Sequence, residues 1–199
     1  MRVLISGGQG DLAKFIHNEL VKLGFSVDAP SRQELDISSI EQTESYFVGK
    51  QYDIVVNAAG TLYSSLIADS DPELWIRDIQ VNLIGTYLLS RLAVKANSEV
   101  KLVNIASTAA FNSYKDWTSY CAAKAGVVTL SKGLNSDGYK VTVLCPGAID
   151  TKIRDSLTIN NPNVMSIPEG AQPILDAIVS DQTGKLFFYR KGESRIEQL

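Results

Sequence analysis

Histidine is almost missing from this chain and cysteine is scarce. His17 stands alone, and Cys121 and Cys145 are the only thiols in 199 residues. Those side chains have no metal-ligand spacing, so no metal centre is expected. There is no second cysteine pair from which to build a disulfide framework. Counting alone leaves one disulfide open, and two buried thiols in a reducing compartment is the simpler reading. No basic run occurs and the formal net charge is -3, which argues against nucleic acid or an anionic membrane surface as the main partner. The first apolar run, Val3-Leu4-Ile5, is too short for a signal peptide or a membrane span. A cytoplasmic location is expected. With 45% apolar and 21% charged residues, disordered and fibrous classes are excluded. The length suits one core, so a single domain over 1–199 is expected.

What is present alternates. Strand-length apolar runs at Arg2–Ser6, Phe25–Ala29, Asp53–Ala58, Lys101–Ala106, Tyr139–Cys145 and Lys185–Tyr189 are separated by helical patterns. The helices fall at Leu12–Leu23, Ile40–Val48, Pro72–Ala96, Thr118–Leu134 and Pro168–Ser180. Ser70-Asp71-Pro72 supplies a capping residue and an early proline for the long third helix. This β-α-β-α order predicts an α/β fold: a doubly wound, mostly parallel sheet with helices on both faces. The stretch 151–167 is the least patterned and reads as a mobile substrate loop.

The first strand runs into Ser6-Gly7-Gly8-Gln9-Gly10-Asp11-Leu12-Ala13. Glycines at Gly7 and Gly10 let backbone approach a pyrophosphate, and Asp11 and Leu12 open a helix whose amides and dipole face that anion. The end of the second strand sorts the two nicotinamide dinucleotides. An acidic residue there favours a ribose 2′-hydroxyl, but Ser31-Arg32 offers a hydroxyl and a guanidinium, which suit a 2′-phosphate. NADP(H) is therefore expected in preference, with NAD(H) possible. Asp28 competes, but its place inside the strand should aim it elsewhere.

Tyr120 and Lys124 are four apart on a predicted helix, which puts them on one face a turn apart. A phenol needs help to exchange protons at neutral pH, and a neighbouring ammonium provides it by favouring phenolate. Alone, such a pair is common surface decoration. Here it has company: Leu35-Asp36-Ile37, Asn57-Ala58-Ala59-Gly60, Val81-Asn82-Leu83-Ile84-Gly85, Asn104-Ile105-Ala106-Ser107, Tyr120-Cys121-Ala122-Ala123-Lys124 and Cys145-Pro146-Gly147-Ala148-Ile149-Asp150-Thr151, in that order, with Ser107 thirteen residues before Tyr120. On these motifs, over nearly its whole length, the chain resembles the short-chain dehydrogenase/reductase family, in its compact branch.

The resemblance implies a Rossmann-type sheet of six or seven parallel strands and hydride transfer between the cofactor and a carbonyl or secondary alcohol. It implies that Tyr120 exchanges the substrate proton, that Lys124 lowers the tyrosine pKa and binds the nicotinamide ribose, and that Ser107 hydrogen-bonds the substrate oxygen. Asn82 would hold a water that relays protons to Lys124. Asp36, with Ile37 beside it, would meet the adenine edge. Asn57, Ala58, Ala59 and Gly60 would line the adenosine side of the groove. Pro146, Gly147 and Ile149 would border the nicotinamide, with Thr151 near the carboxamide or pyrophosphate. Helices around Pro72–Ala96 and Thr118–Leu134 resemble those through which relatives form homodimers or homotetramers.

Some features depart from the compact pattern. The glycine turn and Arg32-Gln33-Glu34-Leu35-Asp36 resemble the extended, sugar-nucleotide-modifying branch. The helix that usually follows the second strand is missing, and the next strand is expected only as a stub around Glu34–Asp36. A separate substrate domain has no room after Thr151, which weighs against a large nucleotide-sugar substrate. An epimerase or dehydratase on the same scaffold, and a non-catalytic NADP(H) sensor, stand as alternatives. Substrate choice is expected from Thr108–Trp117 and the loop after Thr151. Trp117 is read as a substrate contact or as core.

Overall fold

The computed structural model describes residues 1–155, 157 and 161–199. One seven-stranded sheet organises them, in the order β2-β1-β3-β4-β5-β6-β7. Its strands are β1 (Arg2–Ile5), β2 (Ser26–Asp28), β3 (Ile54–Asn57), β4 (Lys101–Ile105), β5 (Val141–Pro146), β6 (Lys185–Arg190) and β7 (Glu193–Gln198). The first six pair in parallel. From β1 the chain steps outward to β2, then returns past β1 to lay down β3. That reversal opens a crevice at the carboxyl ends of β1 and β3, where such sheets bind ligands.

Two departures concern the sheet's edges. β7 is antiparallel to β6 and was not read from the sequence. Glu193, Arg195 and Glu197 give it the charged character of an exposed edge, which masks a strand pattern. The stub expected around Glu34–Asp36 is a turn instead. The Ser31 carbonyl accepts from the amides of both Glu34 (3.1 Å) and Leu35 (2.9 Å), so the backbone curls before it can extend. Leu35 and Ile37 then bury against Tyr52 and Val81.

Helices α1 (Asp11–Lys22) and α6 (Ile167–Val179) cover one face, with Ile16 and Leu20 meeting Ile174 and Ile178. Helices α2 (Ile40–Phe47), α3 (Pro72–Ile79), α4 (Gly85–Ala96) and α5 (Thr118–Ser136) cover the other. The capping expected before Pro72 is present: the Asp71 carboxylate accepts from the amides of Glu73 (2.8 Å) and Leu74 (3.4 Å). The long helix is not uniform. Between α3 and α4 the segment Gln80–Ile84 widens into a π-turn, a distortion that often accompanies functional positions. Asn82 sits inside it.

The base of the 151–167 stretch is closed by a bridge between Ile149 and Met165. Residues 156 and 158–160 of the expected substrate loop lie outside the described residues. Among the described residues no helix is long and apolar enough to cross a membrane.

Candidate active site

A groove of about 740 Å³ runs along the carboxyl ends of the central strands. Its first wall is the glycine turn. Gly7 has φ +72°, and a Cβ there would lie 2.8 Å from the Ala59 Cα, so only glycine lets the turn pack on the strand beside it. The Gly10 amide donates to the Gly7 carbonyl at 2.9 Å. Among the described residues no side chain caps the N-terminus of α1, and Gly10, Asp11 and Leu12 border the groove. Uncapped first-turn amides facing a groove fit a pyrophosphate. The Asp11 carboxylate accepts from the Lys152 amide at 2.9 Å, tying the segment after Thr151 across this end.

At the far end Arg32, Asp36 and Ile37 border the groove, but Ser31 does not. The Ser31 amide donates to the Glu34 carboxylate at 2.7 Å, and its hydroxyl bonds there too, which holds Glu34 below the usual carboxylate range. Arg32 Nε meets the Asp36 carboxylate at 3.1 Å. Both residues expected to favour a 2′-phosphate therefore face carboxylates. Asp28 is turned away from the groove, its carboxylate accepting from Tyr52 (2.7 Å) and Arg2 (2.8 Å).

Ala58, Ala59 and Gly60 line the middle of the groove; Asn57 does not. Asn57 is 3% exposed and donates to Asn104 (2.7 Å) and Ser90 (3.2 Å). Its position opposite Asn104 in the β3–β4 register turns it down against α4, so its role is to join strand and helix. Pro146, Gly147, Ile149 and Thr151 border the opposite wall.

Ser107, Tyr120 and Lys124 converge on this wall. Ser107 follows β4, and its hydroxyl makes a long 3.4 Å contact to the Pro146 carbonyl and reaches the Tyr120 phenol. Tyr120 and Lys124 lie in the first turns of α5. Lys124 is 5% exposed; its Nζ donates to the Ile105 carbonyl at 2.9 Å and lies 5.5 Å from the centre of the Tyr120 ring. Burial pushes the lysine down to about 8, against the pull of the Asp78 carboxylate. Burial also pushes the Tyr120 phenol up to about 12, with the Ser107 hydroxyl pulling the other way. The expected lowering of the tyrosine by Lys124 is thus not what this structure holds. Desolvation dominates, with the Asp78 carboxylate adding to it, and the phenol lies above its ordinary range.

Asn82 is fully buried beneath this wall, outside the groove lining. Its Nδ2 donates to the Thr61 carbonyl and to both the carbonyl and carboxylate of Asp78, each at 2.9 Å. Asp78, Thr61 and Ser119 were not singled out from the sequence. Each adjoins or faces a motif residue, and an acidic residue one turn before Asn82 is the signal that could have found them. Trp117 and Tyr114 line the mouth of the groove, with Trp117 edge-on to Tyr120 at 6.0 Å between ring centres. Their loop is fixed by Asp116 (φ +60°), whose carbonyl accepts from the Ser65 amide at 2.8 Å.

Cys145 is buried behind the wall, its thiol pushed up to about 12 by burial. Cys121 and Cys145 are free thiols. Among the described residues no group of three His, Cys, Asp or Glu could hold a metal ion.

Comparison with known proteins agrees with this geometry. The family model for short chain dehydrogenase matches residues 23–162. An uncharacterized oxidoreductase of Staphylococcus aureus is 31% identical over 187 residues, which cover 89% of this chain and 80% of the relative. Among solved structures, a 4-hydroxyisoleucine dehydrogenase complexed with NADH superposes with TM-score 0.82 at 22% identity, covering 96% of this chain and 97% of that one. A short chain dehydrogenase from Burkholderia cenocepacia in complex with NADP also gives TM-score 0.82, at 21% identity, covering 92% and 85%.

Proposed function

The chain belongs to the short-chain dehydrogenase family, and from that premise we propose that it is an oxidoreductase transferring hydride between NADP(H) and a carbonyl or secondary-alcohol substrate. The observation that carries this reading is the meeting of Ser107, Tyr120 and Lys124 on the wall of a groove that begins at an uncapped glycine turn. When bound, the nicotinamide supplies or takes up the hydride.

The protein's own part is proton delivery and positioning. Tyr120 gives its phenol proton to the carbonyl oxygen in reduction and takes it back in oxidation. A phenol that burial keeps protonated suits the donor role. Ser107 is free to turn its hydroxyl to the same oxygen and stabilise developing charge there. Lys124 presents an ammonium to the ribose hydroxyls and to the phenol. Among the described residues Asn82 Oδ1 has no hydrogen-bond partner. A Cβ at Gly60 would lie 2.9 Å from it and 3.7 Å from Lys124 Nζ, so the two atoms border one small space in which a water could pass protons between them.

The preference for NADP(H) rests on Arg32. Its side chain is 60% exposed and can exchange the Asp36 carboxylate for a 2′-phosphate, a bidentate partner. Two free thiols support a reducing, cytoplasmic setting. Exposed Leu74, Ile76, Ile84 and Tyr87 on and between α3 and α4 support a homodimer or homotetramer built on that face, which sedimentation would test.

Tyr120→Phe tests the mechanism. With NADPH and a panel of aliphatic and aromatic aldehydes and ketones, turnover should fall at least ~100-fold. NADPH binding, followed by fluorescence, should hold. Unchanged turnover would sink the reading. Product formed without stoichiometric NADPH oxidation would point instead to an epimerase.

A further inference from the structure

Asp78 has no part in the mechanism above, yet it is built into the site. Among the described residues it is the one acidic side chain in the buried interior, 1% exposed. Three side-chain donors converge on it. Oδ1 accepts from the Thr61 hydroxyl (2.6 Å) and from Asn82 Nδ2 (2.9 Å), and Oδ2 accepts from the Ser119 hydroxyl (2.7 Å). Thr61 follows Gly60 and Ser119 precedes Tyr120, so the carboxylate braces two segments that carry site residues. A buried charge is a costly way to brace a fold, and a neutral or apolar side chain would serve packing better. The charge itself therefore calls for a reason.

Two observations supply one. Asn82 Nδ2 is surrounded by acceptors: the Asp78 carboxylate, the Asp78 carbonyl and the Thr61 carbonyl. That fixes which end of the amide is which, and leaves Oδ1 bordering the space shared with Lys124 Nζ. In addition, the positive charge of Lys124 is buried on the far side of that space. We propose that Asp78 is a positioning residue for proton transfer: its carboxylate locks the Asn82 amide with Oδ1 toward Lys124 and sets a fixed negative charge behind the Tyr120–Lys124 pair. The proposal rests on the catalytic reading of that pair.

The charge acts on both members in the same direction. It favours the ammonium of Lys124 and disfavours the phenolate of Tyr120. The other groups facing the pair are Ser107 after β4, Cys145 on β5 and Cys121 on α5. Ser107 is neutral, and Cys145 is held neutral by burial. Removing the Asp78 charge should therefore lower both proton affinities together.

The test reads Lys124 directly in the cofactor-free enzyme. Lysine labelled with carbon-13 at Cε is titrated by NMR, with Lys124→Met assigning the signal. Asp78→Asn should move the Lys124 midpoint down by about one unit, a tenfold loss of proton affinity. In active protein it should move the pH profile of turnover toward lower pH. Ser119→Ala keeps the carboxylate and should leave the midpoint where it is. If Asp78→Asn does not fold, Asp78→Thr is titrated in its place, with the same shift expected. A Lys124 midpoint that stays put in a folded charge-free variant overturns the proposal. So does failure of both variants to fold, which would assign Asp78 to the fold alone. The catalytic reading fails separately: an active Tyr120→Phe enzyme refutes it whatever Lys124 does. An inactive Tyr120→Phe enzyme with an unmoved Lys124 midpoint refutes only the role of Asp78.

Discussion

Lys124 Nζ donates to the backbone carbonyl of Ile105 at 2.9 Å. This one bond joins the helix that carries the proposed proton-transfer pair to the last residue of β4, two positions before Ser107. It also holds an ammonium where the fold would rather have none, because Lys124 is 5% exposed.

The first prediction follows from that conflict. The folded-state pKa of Lys124 is about 8, below its ordinary 10.5. The folded chain therefore binds this proton less tightly than the unfolded chain, and stability is reduced below pH 8. The penalty fades as pH rises from about 8 toward 10.5. Its size is on the order of 3 kcal/mol. Lys124→Met should abolish turnover yet raise the melting temperature at pH 7 by about 7 °C, with the gain shrinking by pH 10. Calorimetry across pH 6 to 10 measures it. A variant less stable than the parent at pH 7 would contradict the burial argument.

Gly60→Ala is the second prediction. The added methyl would stand 2.9 Å from Asn82 Oδ1 and 3.7 Å from Lys124 Nζ. The Asn82 amide is fully buried and held by three acceptors, so the close approach forces a shift and should cost the fold about 1–3 kcal/mol. Turnover should drop at least ~10-fold while cofactor binding weakens less, because the methyl fills the space assigned to a relaying water. Turnover and NADPH affinity of the variant, measured side by side, decide the matter. Full activity would remove the relay.

The third prediction concerns cofactor choice. Arg32→Ala should weaken NADPH by ~10- to 100-fold, the scale of a lost charge-assisted contact. NADH should change little or improve, since the Asp36 carboxylate would then border the groove without its Arg32 partner. Stability should barely move, because the Arg32–Asp36 pair has a guanidinium 60% exposed. Equal losses for both cofactors would remove the case for NADP(H).

Parts of this site were legible because they are local. Tyr120 and Lys124 share a helix face by spacing alone, and the glycine turn lies within one strand-to-helix step. Ser31 shows where local reading fails. Its residue type suits a phosphate, but a turn closed by its own carbonyl puts its polar groups on Glu34. Asn57 fails for a different reason. Its direction depends on the β3–β4 register, which pairs it with Asn104. β7 was invisible because an exposed edge strand need not alternate in polarity.

The sequence by itself determined the order of the elements, the wound sheet and the residue types available for proton transfer, because periodicity and turn chemistry act over a few neighbours. Only the tertiary structure decided the rest. Burial by distant segments moves Tyr120 and Lys124 away from their ordinary proton affinities. The packing of α3 against α5 brings Asp78, Asn82 and Ser119 together across 41 positions of chain. Desolvation and long-range hydrogen bonds are properties of the packed molecule, and no spacing along the chain encodes them.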